Sequence, residues 1–238
     1  MRINRQANAL REVNIEHNQA PYAEGSCFFK TGKTHVYCTA TVDERVPRFL
    51  RGKGSGWITA EYSMLPRATH TRNDRESTKG KQSGRTQEIQ RLIGRSLRMP
   101  VDMFLLGERQ IIIDCDVIIA DGGTRTASIN GGFHAMYIAM EKLVKNGMIN
   151  INPIQKFIGA ISVGVAKDGE ILLDLNYNED STCIADANFV LDEFGNIIES
   201  QITCEQNEII TKETFDKMFY LAKEGILSLI KQQKEMLL

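Results

Sequence analysis

Three groups of residues in this 238-residue chain have types and spacings that could do chemistry. The first is Gly122-Gly123-Thr124-Arg125, which ends an apolar run from Ile111 to Ile119 and leads into a helical pattern. Glycines let a backbone approach a ligand closely, and the unpaired N–H groups of a helix start point at it. Strand, glycine turn, arginine and helix start therefore make a pocket for a phosphate. The second is Arg85, at the expected start of a helix over Thr86 to Met99. An anion there would meet both a guanidinium and the positive end of a helix dipole. The third is the acidic stretch Asp174 to Asp186, read as a loop at the end of a strand. Within it Asp180 and Asp186 suffice for a hard cation such as magnesium, or for a carboxylic acid that protonates a leaving group. Taken singly, each group also fits a plain turn or a solvated face.

No nucleophile and no histidine base stand beside these groups. His17, His35, His70 and His134 fall in no metal-ligand spacing, and Cys27, Cys38, Cys115, Cys183 and Cys204 are an odd, scattered set without a Cys-x-x-Cys pair. They are expected as buried reduced thiols rather than a disulfide frame or a zinc site. One chemistry fits the inventory: inorganic phosphate is itself the attacking group, and the protein holds it against a phosphodiester and neutralises charge as the bond transfers.

The charge pattern says which phosphodiester. Arg45 to Arg98 holds thirteen Lys and Arg against four Asp and Glu, a local balance of +9 in a chain whose net charge is −1. A basic block of that density points to a polyanion such as RNA, although a solvated basic face is the simpler alternative. A small-molecule kinase or phosphorylase would have no obvious use for it. Composition is that of an ordinary soluble protein, with 42% hydrophobic and 25% charged residues. No apolar stretch of membrane-spanning length and no apolar signal core at Met1 to Gln6 are present, which predicts a cytoplasmic protein with no membrane partner.

The elements that must position these groups follow from periodicity. Tyr22 to Lys30 and His35 to Val42 read as a hairpin about Thr31-Gly32-Lys33-Thr34, and Trp57 to Leu65 as a further strand. Arg67 to Ser83 is polar and without periodicity, a long loop with nothing apolar to anchor it and therefore expected to be mobile. In the Thr86 to Met99 helix, Arg91, Arg95 and Arg98 fall on a face away from Ile89, Leu92, Ile93 and Leu97. A second helix runs from Ala127 to Val144, with Thr126 as its cap, one apolar side and Asn146-Gly147 as its stop. Strands follow at Phe157 to Ala166, Ile171 to Leu175, Phe189 to Leu191 and Asn196 to Thr203, and a helix begins at Thr211. Hairpins mixed with helices predict an α+β fold, with two halves, 1–150 and 151–238, meeting near Asn150.

Several of these segments together resemble the bacterial ribonuclease PH family. They are Arg51-Gly52-Lys53-Gly54-Ser55-Gly56-Trp57-Ile58-Thr59-Ala60-Glu61-Tyr62 through Arg67, Gly84-Arg85-Thr86 leading to Arg95, Asp114-Cys115-Asp116-Val117, and Ala120 to Ser128. The resemblance runs over nearly the whole chain. It implies the ribonuclease PH-like fold and a phosphate-dependent 3′-to-5′ exoribonuclease that trims precursor tRNA, acts on other RNA 3′ ends, releases nucleoside diphosphates and runs in reverse. It also implies inorganic phosphate at Arg85, Gly123, Thr124 and Arg125, and catalytic, metal-associated aspartates at Asp180 and Asp186. RNA contacts are implied in the basic segment, at Arg67, Arg72, Arg75, Arg91 and Arg95, and the assembly is a homohexamer, a trimer of dimers. The chain departs from the pattern at Asn4-Arg5, where the family usually has Asp-Gly-Arg, and at Asn176, Ile184 and Ile202. The first two of those three stand where carboxylates are usual and the last where a glycine is usual, so metal affinity or rate is expected to differ rather than reaction type.

Overall fold

The computed structural model of the chain describes residues 2, 5–205 and 208–238, so Asn4 lies outside the described residues. The alternation of Ile111, Ile113, Cys115 and Val117 with Asp114 and Asp116 makes Gln110–Ile119 a strand with one buried face. This strand, β5, sits within a five-stranded sheet with β1 (Val13–His17), β2 (Gly25–Thr31), β3 (Thr34–Asp43) and β4 (Trp57–Met64), in the order β1-β2-β3-β5-β4. The pairs are antiparallel except β4 with β5, which are parallel and joined through α1 (Gly84–Arg98) and the single turn α2 (Met103–Leu106). A second, antiparallel sheet has the order β7-β6-β8-β9, built from β6 (Ile158–Val165), β7 (Ile171–Leu173), β8 (Ala185–Asp192) and β9 (Ile197–Cys204).

The helix α3 (Thr124–Lys145) packs against β2, β3 and β5 of the first sheet and against β6 of the second. Its burial follows from that position. Instead of one apolar side, nearly every residue from Thr126 to Met136 is buried, including Ser128, Asn130 and His134. Asn130 is paired within the fold: its Nδ2 donates to the Ala160 carbonyl and its Oδ1 accepts from the Ala160 N–H, a two-way bond to β6. The helix α5 (Lys212–Leu237), capped by Thr211, covers the second sheet with Met218, Ala222, Ile226 and Leu229, as its periodicity predicts. The short helix α4 (Tyr177–Asp180) completes the set.

Three of the differences from the sequence reading bear on the site, each for a local reason. The α3 helix starts at Thr124, because Gly123 caps it in the left-handed conformation, while Thr126 lies in the first turn and donates its hydroxyl to the Gly123 carbonyl. The acidic stretch is not one loop: Asn176 and Glu179 form a reciprocal capping box that winds α4, and Asp186 belongs to β8. The Arg67 to Ser83 segment has an apolar anchor after all, since Ala68 is buried and its carbonyl accepts from the Ala120 N–H. A 3-10 turn at Glu76–Lys79 follows, and Glu76 accepts from the Ser83 N–H and the Thr86 hydroxyl.

Candidate active site

The site lies where the first turn of α3 faces the second sheet. Gly122 and Gly123 both have positive φ, 75° and 64°, which a side chain would strain. A β-carbon on Gly122 would also sit 2.5 Å from the Asn176 carbonyl carbon, so only glycine lets this turn meet α4. The turn is fixed from outside. Thr34 Oγ1 donates to the Gly122 carbonyl at 2.6 Å, Arg11 Nη1 donates to the Asp121 carbonyl at 2.8 Å, and Asp121 Oδ1 accepts from the Tyr177 N–H at 3.3 Å. Gly123 has no side chain to cap α3, so the first N–H groups of this helix are left to a ligand.

Two guanidiniums border this helix start. Arg85 sits in the first turn of α1, whose N-cap Ser83 accepts from the Thr86 N–H, and it has no hydrogen-bond or ion-pair partner among the described residues. Arg125 makes one weak contact, donating from Nη1 to Gln201 Oε1 at 3.3 Å. Tyr62, on β4, shares a 2.9 Å hydrogen bond with the Thr124 hydroxyl. Burial pushes the Tyr62 phenol up, and the Thr124 bond and the charges of Arg85 and Arg125 partly offset it. Sequence reasoning passed over Tyr62, because a tyrosine on an alternating strand looks like core.

The carboxylates face them. Asp180 ends α4 at the surface with its carboxyl partly screened by the fold, and Asp186 is half-buried on β8. Neither side chain has a hydrogen-bond or ion-pair partner among the described residues. Partial burial pushes the Asp180 carboxyl up, against the pull of Arg125 and Arg85. Burial and the charge of Asp180 push Asp186 up as well. Burial and the same two carboxylates drive the Cys183 thiol up to about 12, so this cysteine stays protonated and is no nucleophile. Two unpaired, acceptor-only groups close enough for the charge of Asp180 to raise the proton affinity of Asp186 are the donor set a hard cation takes.

The other acids of the stretch are elsewhere. Asp174 is buried and bonded by Arg11, from Nη2 to Oδ1 at 2.6 Å and from the backbone N–H to Oδ2 at 2.8 Å. Glu179 takes a two-pronged bond from Arg2 at 2.7 and 2.9 Å and a third from Arg5 at 3.0 Å. A hollow bordered by Arg2, Arg5, Lys167 and Glu179 opens behind α4, away from Asp180 and Asp186.

The basic segment is divided in the same way. Arg67, Arg75 and Arg91 are exposed without partners among the described residues, and Arg72 pairs only with exposed Asp74. Arg95 is half-buried against Glu199 of β9, and Arg98 turns into the fold, 4.3 Å over the Trp57 ring and bonded to the Ile58 carbonyl. Arg67, Arg75 and Arg91 thus carry charge that the fold leaves free.

Residues 9–140 match the 3′ exoribonuclease family, domain 1, and residues 156–225 match domain 2 of that family. Among curated proteins, the chain is similar to ribonuclease PH of Maricaulis maris, at 55% identity over 96% of this chain and 95% of that protein. It is similar to ribonuclease PH of Bacillus subtilis at 55% identity over 98% and 95%. In fold it resembles rice Rrp46, with a TM-score of 0.76 at 19% identity over 99% of both chains. It also resembles a chain of the Archaeoglobus fulgidus exosome with RNA bound to the active site, with a TM-score of 0.79 at 18% identity over 96% and 90%.

Proposed function

The chain belongs to the 3′ exoribonuclease family, and on that premise we infer that it is a phosphorolytic 3′-to-5′ exoribonuclease that trims the 3′ extension of precursor tRNA. One observation carries the reading: two guanidiniums and an uncapped helix start confront two carboxylates, and none of the four side chains is consumed by an ion pair within the described fold. Such a set is organised for groups that arrive from outside.

Inorganic phosphate is held by Arg85, Arg125, the Thr124 hydroxyl and the first N–H groups of α3, with Tyr62 fixing Thr124. One of its oxygens attacks the phosphorus that links the terminal nucleotide to the rest of the RNA. The new P–O bond makes a nucleoside diphosphate as the bond to the penultimate 3′ oxygen breaks. The proton given up by the attacking phosphate is matched by the one the departing oxygen takes up, so no histidine base is needed. In the reverse direction the same contacts hold a diphosphate and add its nucleotide. Asp180 and Asp186 would hold magnesium, which supplies positive charge to the transferring phosphoryl group. Ile184, half-buried where a carboxylate is usual, leaves this site one acid short.

Arg67, Arg72, Arg75 and Arg91 then track the RNA backbone, and Arg95 joins them by releasing Glu199. A homohexameric ring of dimers in the cytoplasm belongs to the same reading. It is supported by the apolar Phe49, Phe104 and Leu105 left exposed on the first half of the chain.

The test is to incubate the protein with a 3′-extended tRNA and magnesium, with and without inorganic phosphate. Nucleoside diphosphates that appear only with phosphate support the reading. Monophosphates released without phosphate would replace it with hydrolysis.

A further inference from the structure

Strand pairing aligns His17, Cys27, Cys38 and Cys115 side by side across β1, β2, β3 and β5. At one end of this row the helix α3 lays His134 against His17, with Nδ1 of the first 2.9 Å from Nε2 of the second. One ligand atom from each of His17, Cys27 and His134 lies within 4.8 Å of the others, although the three residues come from separate elements and span 117 positions.

We propose that His17, Cys27 and His134 bind one zinc-class transition-metal ion, at a site distinct from the phosphate pocket and its carboxylates. The donor set is two imidazoles and a sulfur with no carboxylate, which favours zinc, cobalt or copper and disfavours magnesium. His134 is fully enclosed, and its Nε2 has no hydrogen-bond partner, so the protein alone leaves this ring one interaction short. The backbone around the cluster is held close: a β-carbon on Gly25 would meet the Ala135 carbonyl oxygen at 2.0 Å, so β2 and α3 are in direct contact beside it. Asn18, in the left-handed conformation with φ 58°, turns the chain just after His17, and its N–H is bonded to the Ser26 carbonyl. His17 is only half-buried, which leaves a way in and a place for water as fourth ligand. Binding replaces the His17–His134 hydrogen bond with metal bonds to two imidazole nitrogens and to sulfur, moves the shared proton to the other nitrogen of its ring, and releases the Cys27 thiol proton to solvent. The ion would staple β1, β2 and α3 together, and no redox change is involved.

The test uses chelator-treated full-length protein in saturating magnesium, which fills hard oxygen sites, titrated with cobalt as a spectroscopic probe. One cobalt per chain with a thiolate-to-metal charge-transfer band, displaced by zinc, is expected. Cys27→Ser should abolish the band, and His17→Gln, at the half-exposed position, should weaken binding about tenfold or more with circular dichroism unchanged. Cys204→Ser and Asp186→Asn should leave both band and affinity intact. No band in the folded wild-type protein, a band lost with Cys204 rather than Cys27, or equal cobalt affinity in His17→Gln would each overturn the site. None of these readouts depends on nuclease activity, so they separate this site from the catalytic reading.

Discussion

Two arginine–carboxylate clusters flank the same short helix, α4, and they are built in opposite ways. Behind it, Arg2, Arg5 and Arg11 pair with Asp174 and Glu179, with side chains mostly enclosed and every carboxylate oxygen bonded. In front of it, Arg85 and Arg125 face Asp180 and Asp186 with no ion pair formed. The proton affinities follow. Burial would push Asp174 and Glu179 up, but Arg11 on the first and Arg2 on the second outweigh it and hold both below the usual carboxylate range. Burial pushes Asp180 and Asp186 above it, and their arginines only moderate the rise. Charges paired within the fold strand a buried partner when one of them is removed. Charges left unsatisfied cost stability and are available to a substrate.

The sharpest way to break this contrast is to neutralise one carboxylate in each cluster. Asp174→Ala strands Arg11 in the interior and should cost about 3–5 kcal/mol of stability, measured by urea unfolding. Asp186→Asn should lower the rate about 100- to 1,000-fold, roughly 3–4 kcal/mol of barrier, while the melting temperature holds or rises. A variant that loses both stability and rate in equal measure at Asp186 would erase the distinction. Arg85→Ala removes a charge-assisted contact to phosphate and should raise the KM for phosphate about tenfold with the fold intact. An unchanged phosphate dependence would take Arg85 out of the pocket.

Acid separates the clusters by sign. For Asp174 and Glu179 the folded pKa is depressed, so their stabilisation is complete above the unfolded value and is lost as pH falls through the folded one. For Asp180 and Asp186 the folded pKa is raised, so their penalty is present above the folded value and fades as pH drops below the unfolded one. Asp174→Asn should therefore flatten the acid limb of a stability–pH curve, and Asp186→Asn should leave that limb in place. The smallest effect is expected at Ile184: Ile184→Glu restores an acid beside the pair and should lower the magnesium needed for half-maximal rate severalfold. Half-saturation at the same magnesium in both proteins would show that Ile184 does not weaken the site.

What was legible in the sequence was whatever local patterns encode. The alternation in Gln110–Ile119, the two-residue turn between β2 and β3, the glycine turn at Gly122-Gly123 and the stripe of α5 all follow from period and turn chemistry. Which acids pair was not legible, because Asp174 and Asp180 look alike on paper and differ only in what the fold brings to them. Arg11 gives no local signal, yet it bonds both Asp174 and the glycine turn before α3. Arg95 and Arg98 share a helical face with Arg91, but β9 and Trp57, both distant in sequence, claim them. The cluster of His17, Cys27 and His134 has no signature in sequence spacing, and it exists only through the register of β1 on β2 and the seat of α3.

The central claim is that the unpaired cluster holds inorganic phosphate as the attacking group. Isotopically labelled phosphate, supplied with a 3′-extended tRNA and magnesium, tests it most directly. The account predicts that every released nucleotide is a diphosphate carrying the label in its β-phosphoryl group, and that Arg85→Ala slows this release at low phosphate. Unlabelled monophosphates as the product would contradict it.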